Sequence, residues 1–222
     1  MPMKPLIIFG VGDNASVALF YFKHDSPREI VAFTVDKKYI QEPAFCGLPV
    51  VDFDQVASQY PPNQYDMFIA VGYSKMNQIR AQKCGEAKEK GYVLASYISS
   101  KAIISPGVPL GENSFILENN TVQPFAKIGD HVTLWSGNLI AHHSTIGDNS
   151  FIACQAVISG RVQVGENCFI GNNVTLRDHI TIGKHCVIGA GALVVKDTKD
   201  YGVYIGHPAK LLNTSSSELK RI

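Results

Sequence analysis

The stretch IGDNSFIACQAVISGRVQVGENCFIGNNVTL, residues 146–176, places an aliphatic residue at every sixth position. The spacing continues in both directions without a gap. Seventeen consecutive positions in this phase are Ile, Leu or Val: Ile98, Ile104, Leu110, Ile116, Val122, Ile128, Leu134, Ile140, Ile146, Ile152, Ile158, Val164, Ile170, Leu176, Ile182, Ile188 and Val194. Glycine often follows the aliphatic residue, and a small or compact residue usually stands four positions after it. A period of six fits neither an α-helix nor an antiparallel meander, and it is typical of a parallel β-helix.

Each hexapeptide is therefore predicted to form one short strand and one turn, and three hexapeptides to form a triangular coil of about 18 residues. The aliphatic side chains point inward and stack at the strand spacing of roughly 4.8 Å. The run from Leu110 to Val194 supplies about five coils. Its unbroken phase predicts that no long loop is inserted into the stack.

Composition narrows the possible functions. The chain has 222 residues, of which 45% are hydrophobic and 18% charged, and its formal net charge of +1 favours neither a nucleic acid nor a membrane as partner. No long apolar run is present, and the opening MPMKPLIIFG has no signal pattern, so we expect a cytoplasmic protein. The five cysteines form no CxxC pair, which predicts free thiols and no zinc cluster.

The first part of the chain has a different pattern. Strand-like runs at residues 6–10, 30–36 and 66–72 alternate with two helical stretches, and the second helix ends at Gly91. This alternation predicts a small α/β domain with a parallel sheet, resembling half of a dinucleotide-binding fold. We expect three regions: an α/β domain over 1–97, the β-helix over 98–200 and a C-terminal tail over 201–222.

A glycine-rich turn follows the first predicted strand. The sequence GVGDNA, with Gly10, Gly12 and Ala15, matches the fingerprint G-x-G-x-x-G/A, and an acid, Asp36, closes the next strand. Such a turn lets the backbone and a helix N-terminus approach a phosphate. A domain of under 100 residues is small for NAD. A nucleotide or nucleotide-sugar site therefore remains the preferred interpretation, with a purely structural turn as the alternative; the predicted substrate residues are Gly10, Gly12, Asp13, Asn14 and Asp36.

Six motifs spread over nearly the whole chain resemble one group of bacterial hexapeptide-repeat enzymes. This group comprises the sugar O-acyltransferases of the sialic acid O-acetyltransferase type and nucleotide-amino-sugar N-acetyltransferases such as the bacillosamine-pathway enzyme. The motifs are GVGDNA with VD at 35–36, ISPGV at 104–108, IAHHSTIGD at 140–148, VGENCFIGNNVTL at 164–176, IGAGALVVKD at 188–197 and GVYIGHPAKLL at 202–212. The resemblance implies a left-handed β-helix, a homotrimer and acetyl-CoA as acyl donor.

The resemblance also implies roles for individual residues. The catalytic base of such enzymes falls on His142, and the acid that commonly follows it is replaced here by His143. A second histidine that relatives often carry near the acetyl group falls on Phe151. Coenzyme A is expected in a groove between neighbouring subunits, along Gly160, Ala190, Gly191, Pro208 and Lys210.

The repeat itself separates the two adjacent histidines. His143 shares its phase with His131, His179 and His185, three positions after an aliphatic residue, where an outward turn residue is ordinary. His142 has a different phase, and one coil of about 18 residues later the chain carries Gly160. A glycine there leaves room above the imidazole and a backbone N–H that can hold an oxyanion. We therefore predict His142 as the base, Gly160 as the oxyanion donor, and a substrate-contacting or orienting role for His143.

These observations favour N-acetylation of a nucleotide-linked 4-amino-dideoxy sugar, with UDP as the expected nucleotide, in surface glycan synthesis. O-acetylation of sialic acid or a related sugar is the alternative. A non-catalytic scaffold or a zinc protein is a third possibility, but His131, His142 and His143 are not spaced at the coil interval, so no metal is expected. Cys168 and Cys186 lie 18 residues apart in the small-residue phase and are predicted to be core thiols rather than nucleophiles.

Overall fold

The computed structural model describes residues 3–219. Contacts divide the chain into two compact units, one with Met1–Gly72 and Arg80–Tyr97, the other with Tyr73–Ile79 and Ile98–Ile222. The short segment Tyr73–Ile79 thus packs with the second unit, although it lies inside the sequence range predicted for the first. Met1, Pro2 and residues 220–222, which the predicted regions include, lie outside the described residues.

The first unit is a parallel sheet with helices, as predicted. Its strands are β1 (Leu6–Phe9), β2 (Ile30–Val35), β3 (Ala44–Phe45), β4 (Leu48–Asp52) and β5 (Asp66–Ile69), in the order β3-β4-β2-β1-β5. Only the β3–β4 pair is antiparallel. The helices are α1 (Asp13–Asp25), α2 (Val56–Gln59) and α3 (Gln78–Glu89), with a one-turn 3-10 helix at Lys37–Tyr39. The predicted stop at Gly91 is confirmed by its φ of +91°.

The second unit is a left-handed parallel β-helix. Two-residue strands recur along it: β6 (Tyr97–Ile98), β7 (Ile103–Ile104), β8 (Phe115–Ile116), β9 (Thr121–Val122), β10 (Lys127–Ile128), β11 (Thr133–Leu134), β12 (Leu139–Ile140), β13 (Thr145–Ile146), β14 (Phe151–Ile152), β15 (Val157–Ile158), β16 (Gln163–Val164), β17 (Phe169–Ile170), β18 (Thr175–Leu176), β19 (Thr181–Ile182), β20 (Val187–Ile188) and β21 (Leu193–Val194). Neighbouring strands pair at i and i+18, for example Thr133 with Phe151. The coil length predicted from the period is confirmed.

The strands form three faces. One contains β10, β13, β16 and β19, a second contains β8, β11, β14, β17 and β20, and a third contains β7, β9, β12, β15, β18 and β21. The aliphatic series fills the interior, because every member from Ile116 to Val194 is buried. Ile98, at the start of the series, is 40% exposed, so the first position lies outside the core. Residues four positions after the aliphatic, from Ser114 to Ala192, are also buried.

The turns of the β-helix share one backbone feature. The residue three positions after the aliphatic takes a positive φ at coil after coil, as at His143 (60°) and Arg161 (60°). Such left-handed residues favour glycine and asparagine, which explains the frequent Asn at this position. The members are Gly107, Asn113, Asn119, Phe125, His131, Gly137, His143, Asn149, Gln155, Arg161, Asn167, Asn173, His179, His185 and Gly191.

The repeat ends with a shortened coil. Strand β22 (Gly202–Gly206) pairs with β20 at a spacing of 16 residues, Val187 with Val203. It then forms an antiparallel hairpin with β23 (Ala209–Ser215), and a one-turn 3-10 helix follows at Ser216–Glu218. The side chain of Ser215 caps this turn. Within residues 3–219, no helix is long and apolar enough to cross a membrane.

Candidate functional site

The glycine-rich turn lies where the chain order of the first sheet reverses. Strand β1 has β2 on one side and β5 on the other, so the loops after β1 and β5 flank a topological switch point, the place where parallel sheets bind ligands. The two loops approach closely. A Cβ on Gly10, whose φ is +122°, would lie 3.2 Å from the carbonyl oxygen of Ala70, and a Cβ on Gly72 would lie 2.7 Å from Asn14 Nδ2. Glycine is required at position 10 by its φ and by the backbone contact, whereas a side chain at position 72 would displace the Asn14 amide.

Helix α1 begins at the same crevice. Gly12 is its N-cap residue and offers no side-chain cap, while the Gly12 carbonyl accepts from Ala15 and Ser16. The N–H groups of the first turn therefore face the crevice side of the helix, as in anion sites at helix N-termini. Asp13 in this turn is exposed, and the Asn14 amide occupies the space that a Cβ on Gly72 would need.

A cavity of about 410 Å³ adjoins this turn. Its lining combines backbone of the glycine-rich turn with side chains that follow β2 and flank the β3–β4 hairpin, including Gly12, Val35, Tyr39, Gln41, Glu42 and Phe45. Tyr39 is 54% exposed, so its ring can stack against a planar ligand. The volume falls within the range of small-molecule sites.

Asp36 follows β2 at the same edge and is held by a cation. Its Oδ1 accepts a hydrogen bond of 2.6 Å from Lys83 Nζ, which also donates to Glu86 Oε2 at 2.7 Å. Burial opposes the charge of Lys83, but the hydrogen bonds that Lys83 donates to Asp36 and Glu86 outweigh it and raise the pKa of Lys83. No local spacing in the sequence predicts this partner, which lies 47 residues away on α3.

Arg80, also on α3, supports the loop after β5 from behind. It is only 1% exposed, and its Nη1 donates to the carbonyl oxygens of Val71 (3.3 Å) and Gly72 (3.0 Å). Burial lowers the pKa of Arg80 to about 10. Sequence reasoning missed this residue, because a lone arginine in a charged helix is ordinary.

In the β-helix, His142 and Gly160 meet as the repeat predicts. A Cβ built on Gly160 would lie 2.7 Å from His142 Cε1 and 2.9 Å from its Nε2. The imidazole therefore occupies the space that any larger residue at 160 would need. The carbonyl oxygen of His142 accepts from Arg161 N at 3.0 Å, and that of Gly160 accepts from His179 N at 3.0 Å. Within the described residues, the Gly160 N–H makes no hydrogen bond.

His143 stands beside His142 at an exposed turn. The two Nδ1 atoms are 3.2 Å apart, and the rings are nearly perpendicular at 85°. The ring of His143 also packs against Phe125, with centroids 4.7 Å apart. The pKa of His143 is lowered by partial loss of solvent and by the nearby charges of Arg161 and His142.

Hydrogen bonds of two side chains, Gln123 and Ser144, connect the turn that carries the histidines to the coils on either side. Gln123 Oε1 accepts from the backbone N–H of His142 at 3.0 Å. Ser144 is buried, donates to the carbonyl oxygen of Ser159 at 2.8 Å and accepts from Val162 N at 3.1 Å. The backbone under the two imidazoles is thus tied to coils on both sides.

Of the residues predicted to bind coenzyme A, only Gly160 lies beside His142. Gly160 is in the turn between β15 and β16, whereas Ala190 and Gly191 are in the turn between β20 and β21, at a different corner of the triangle. Space is open next to Gly191, where an added Cβ would meet no atom within 4 Å. Pro208 and Lys210 are exposed in and beside the β22–β23 turn. One chain therefore does not bring the whole predicted set together.

Phe151 is buried in an aromatic cluster on the second face. Its ring stacks on Phe169 at 5.7 Å, meets Tyr73 edge-on at 5.0 Å and lies 6.3 Å from Trp135. An apolar ring in this packing stands at the position for which the resemblance implied a histidine. Trp135 Nε1 is buried and has no hydrogen-bond partner among the described residues.

Cys168 and Cys186 lie in the core of the β-helix, as the sequence predicts. Cys168 and Cys186 are fully buried, and burial raises the pKa of both thiols, with Sγ atoms donating to the carbonyl oxygens of Gly183 and Lys199. Neither thiol is suited to act as a nucleophile. Among residues 3–219, no cluster of three or more His, Cys, Asp or Glu side chains could hold a metal ion.

Comparison with known proteins agrees with this architecture. The bacterial transferase hexapeptide (six repeats) family matches residues 125–160, 143–178 and 161–196. No curated protein sequence matches the chain at a significant level. Among solved structures, PerB from Caulobacter crescentus in complex with CoA and GDP-perosamine is 26% identical with a TM-score of 0.85, over 96% of this chain and 99% of that one.

Two further structures extend the comparison. The acetyltransferase domain of PglB from Neisseria gonorrhoeae in complex with acetyl coenzyme A is 26% identical with a TM-score of 0.82, over 95% of this chain and 100% of that one. WeeI from Acinetobacter baumannii, at 18% identity and a TM-score of 0.65 over 95% and 100%, shares the fold.

Proposed function

We propose that this hexapeptide-repeat acyltransferase transfers an acetyl group from acetyl-CoA to the amine of a nucleotide-linked 4-amino-dideoxy sugar. The reaction is expected in the cytoplasm, during synthesis of a surface glycan. The observation that carries the proposal is His142 beneath Gly160, an exposed imidazole next to a backbone N–H that has no acceptor within residues 3–219. Acyl transfer needs this combination of a base and an oxyanion donor.

The chemistry requires no covalent enzyme intermediate. The sugar amine attacks the thioester carbonyl, so that a C–N bond forms, and His142 Nε2 accepts the proton of the amine. The Gly160 N–H stabilises the negative oxygen of the tetrahedral intermediate. The C–S bond then breaks, and His142 returns the proton to the departing sulfur of coenzyme A. Histidine is the side chain that most often serves as a general base at neutral pH.

The first unit is proposed to bind the nucleotide. Support comes from the glycine-lined crevice at the switch point, the N-terminus of α1 for a phosphate, and the 410 Å³ cavity beside Gly12 for further parts of the ligand. Lys83 donates to Oδ1 of Asp36, so that Oδ2 can accept from a ribose hydroxyl or a base. The sequence resemblance favours UDP, whereas PerB was crystallised with GDP-perosamine, so both nucleotides belong in the assay.

Coenzyme A is proposed to lie between two copies of the chain, and the active assembly to be a trimer. Support comes from the division of the predicted residues between two corners of the β-helix, because a ligand touching Gly160 and Gly191 would have to bridge neighbouring copies. The third face also displays apolar side chains outward, with Ile103 68% and Val157 37% exposed, as expected of an association surface. Lys210 is proposed to meet a phosphate of coenzyme A.

The decisive experiment follows coenzyme A release from acetyl-CoA. The acceptors are UDP-, dTDP- and GDP-linked 4-amino-4,6-dideoxy sugars and, in parallel, sialic acid. We expect turnover with one nucleotide amino sugar and a loss of about 10²–10⁴-fold in kcat for His142→Ala. A loss below tenfold would remove His142 as the base. Turnover with sialic acid alone would establish O-acetylation and exclude the nucleotide role of Asp36.

A further inference from the structure

The two histidine side chains in the turn after β12 form an unusual pair. Their Nδ1 atoms lie 3.2 Å apart, within hydrogen-bond distance, so one of the two nitrogens must carry the hydrogen and the other must accept it. A protonated nitrogen on both rings would place two donors against each other. The contact therefore fixes the tautomers of His142 and His143 relative to one another.

We propose that His143 is a positioning residue whose Nδ1 accepts a hydrogen bond from His142 Nδ1–H and so keeps His142 Nε2 free to take up a proton. The inference rests on the proposed function in one respect, since it assumes that His142 is the base. It assigns to a neutral imidazole the task that a carboxylate performs beside the base in many acyl-transfer sites.

The alternative tautomer pair would be unproductive. If His143 donated, His142 would accept through Nδ1 and carry its hydrogen on Nε2, the nitrogen that lies 2.9 Å from the position of a Cβ on Gly160. In the proposed pair the hydrogen bond strengthens when His142 becomes an imidazolium, because a charged donor makes a stronger bond. Only this arrangement gains stability as the reaction proceeds, which is what catalysis requires.

An acceptor role requires His143 to remain neutral. The charged and titratable groups that act on it are Arg161 and His142, both of which disfavour a second positive charge, and partial loss of solvent acts in the same direction. The pKa of His143 is accordingly lowered. Near neutral pH the ring therefore keeps a lone pair on one nitrogen.

Two backbone features and one ring contact hold His143 in the turn. Its backbone holds the left-handed φ of 60° that the turn imposes, and its carbonyl oxygen accepts from Gln163 Nε2 at 3.4 Å. The ring packs on Phe125 at 4.7 Å with a tilt of 35°. These contacts orient the acceptor before any substrate binds.

The first test needs no substrate. Long-range proton–nitrogen NMR on the full chain labelled with ¹⁵N-histidine reports the tautomer of each ring near pH 7.5. We expect the Nδ1–H tautomer for His142 and the Nε2–H tautomer for His143, with assignments from His142→Ala and His143→Asn. The reverse pair, or the Nε2–H tautomer on both rings, would overturn the proposal while leaving the acetyl-transfer assignment untouched.

The second test compares three replacements of His143. Leucine removes the acceptor. Asparagine places an acceptor, Oδ1, three bonds from Cα, as Nδ1 is in histidine, and it tolerates a positive φ. Aspartate supplies a carboxylate. We expect kcat to fall about 10- to 100-fold for His143→Leu, the size of a lost charge-assisted hydrogen bond, and less than about fivefold for His143→Asn. For His143→Asp the acidic limb of the pH profile should move to higher pH, because a carboxylate favours an imidazolium beside it.

The matched control is His179→Leu. His179 holds the same left-handed turn position two coils later, with φ 60°, and its exposed ring lies 3.7 Å from the carboxylate of Asp178. It should reproduce any folding cost of leucine at this position without a change in kcat. If His143→Leu raises only KM for the sugar, His143 is a substrate contact and not an orienting group; if His142→Ala is fully active, the proposed base itself is wrong.

Discussion

Gly160 Cα lies directly against the imidazole of His142, so that a methyl group at residue 160 would come within 2.7 Å of the ring. The two residues stand 18 positions apart, one full coil, and their turns pair through Arg161 N and the carbonyl oxygen of His142. The glycine is needed for space and not for backbone conformation, because its φ lies outside the positive range. The contact thus links the hexapeptide period directly to the candidate base.

Replacement of Gly160 by alanine should therefore inactivate without unfolding. The exposed His142 ring can swing out to relieve the contact, which leaves the core intact but misplaces the base. We expect kcat to fall about 100-fold, the size of a misplacement of about 1 Å, with a change in melting temperature of under about 2 °C. Steady-state kinetics and thermal unfolding of the same preparations measure both quantities.

Gly85→Ala provides the control for a glycine replacement. Gly85 lies within α3, and a Cβ there meets no atom within 4 Å. It should leave kcat unchanged and raise the free energy of unfolding by about 0.5–1 kcal/mol, the helix propensity difference. A Gly160→Ala enzyme with normal turnover would show that the His142 ring position is not required.

Asp36→Asn should weaken nucleotide-sugar binding and leave kcat nearly unchanged. The Asp36 carboxylate is oriented by Lys83, and the variant still leaves Lys83 its second partner, Glu86, so no buried cation is stranded. We expect Kd to rise about 10-fold or more through loss of one charged hydrogen bond. Glu86→Gln is the matched control, since it removes the other carboxylate from the same lysine. Calorimetric titration with equal affinities for wild type and Asp36→Asn would exclude Asp36 from the site.

The Lys83 cluster should also be visible in the pH dependence of stability. The pKa of Glu86 lies below its usual 4.5: burial acts upward, and the hydrogen bonds from Lys83 and Gln82 overcome it. The contribution of Glu86 to the free energy of unfolding is present above about pH 4.5 and is lost as the pH falls through the lowered pKa. The pKa of Lys83 lies above 10.5, so its contribution is present below that pH and is lost as the pH rises through the raised value.

Lys83→Met should accordingly be less stable than wild type at pH 7, by about 1 kcal/mol for a partly exposed pair, and the difference should shrink between pH 7 and pH 3. Lys90→Met is the control, because Lys90 also lies over Phe53 but faces an Asp54 side chain that is 88% exposed. Urea unfolding at both pH values measures the difference. A gap that stays constant from pH 7 to pH 3 would show that the lysine acts by packing alone.

The sequence determines the β-helix more completely than the α/β unit. Once the period of six is recognised, the strand register, the buried series and the contact between Gly160 and His142 all follow, because each coil repeats the geometry of the one before. The period could not predict the final coil of 16 residues. There the side chains of Asp197 and Asp200 accept from backbone N–H groups of Thr181 and Lys184, in place of a further regular turn.

In the α/β unit the missing information is long-range. The fingerprint located the crevice, but the ion pair between Asp36 and Lys83 depends on how α3 packs, which no local spacing encodes. The packing of Tyr73–Ile79 with the second unit was equally hidden. Asn77, whose amide donates to the carbonyl oxygen of Cys168 at 3.1 Å, looks like an ordinary loop residue in the sequence.

The β3–β4 hairpin, which sequence reasoning also missed, supports a last prediction. Its two-residue turn is Cys46–Gly47, with φ of 48° and 81°, and a turn with two positive φ values usually carries Asn–Gly. Cysteine at the first position hides that signal and is strained there. Cys46→Asn should raise the free energy of unfolding by about 0.5–1 kcal/mol.

The same variant should also remove the thiol that reacts fastest with a thiol reagent in the native protein. Cys46 is exposed, whereas Cys84, Cys168 and Cys186 are buried, and burial raises the pKa of the last two thiols. A thiol reagent at pH 8 should therefore react rapidly with wild type at one site and lose that phase in Cys46→Asn. Cys154→Ser is the control, since Cys154 is half-buried and should leave the fast phase in place. A fast phase that persists in Cys46→Asn would show that another thiol reacts rapidly: the half-buried Cys154 if Cys154→Ser in the same background removes the phase, and otherwise a buried thiol reached by local opening of the structure.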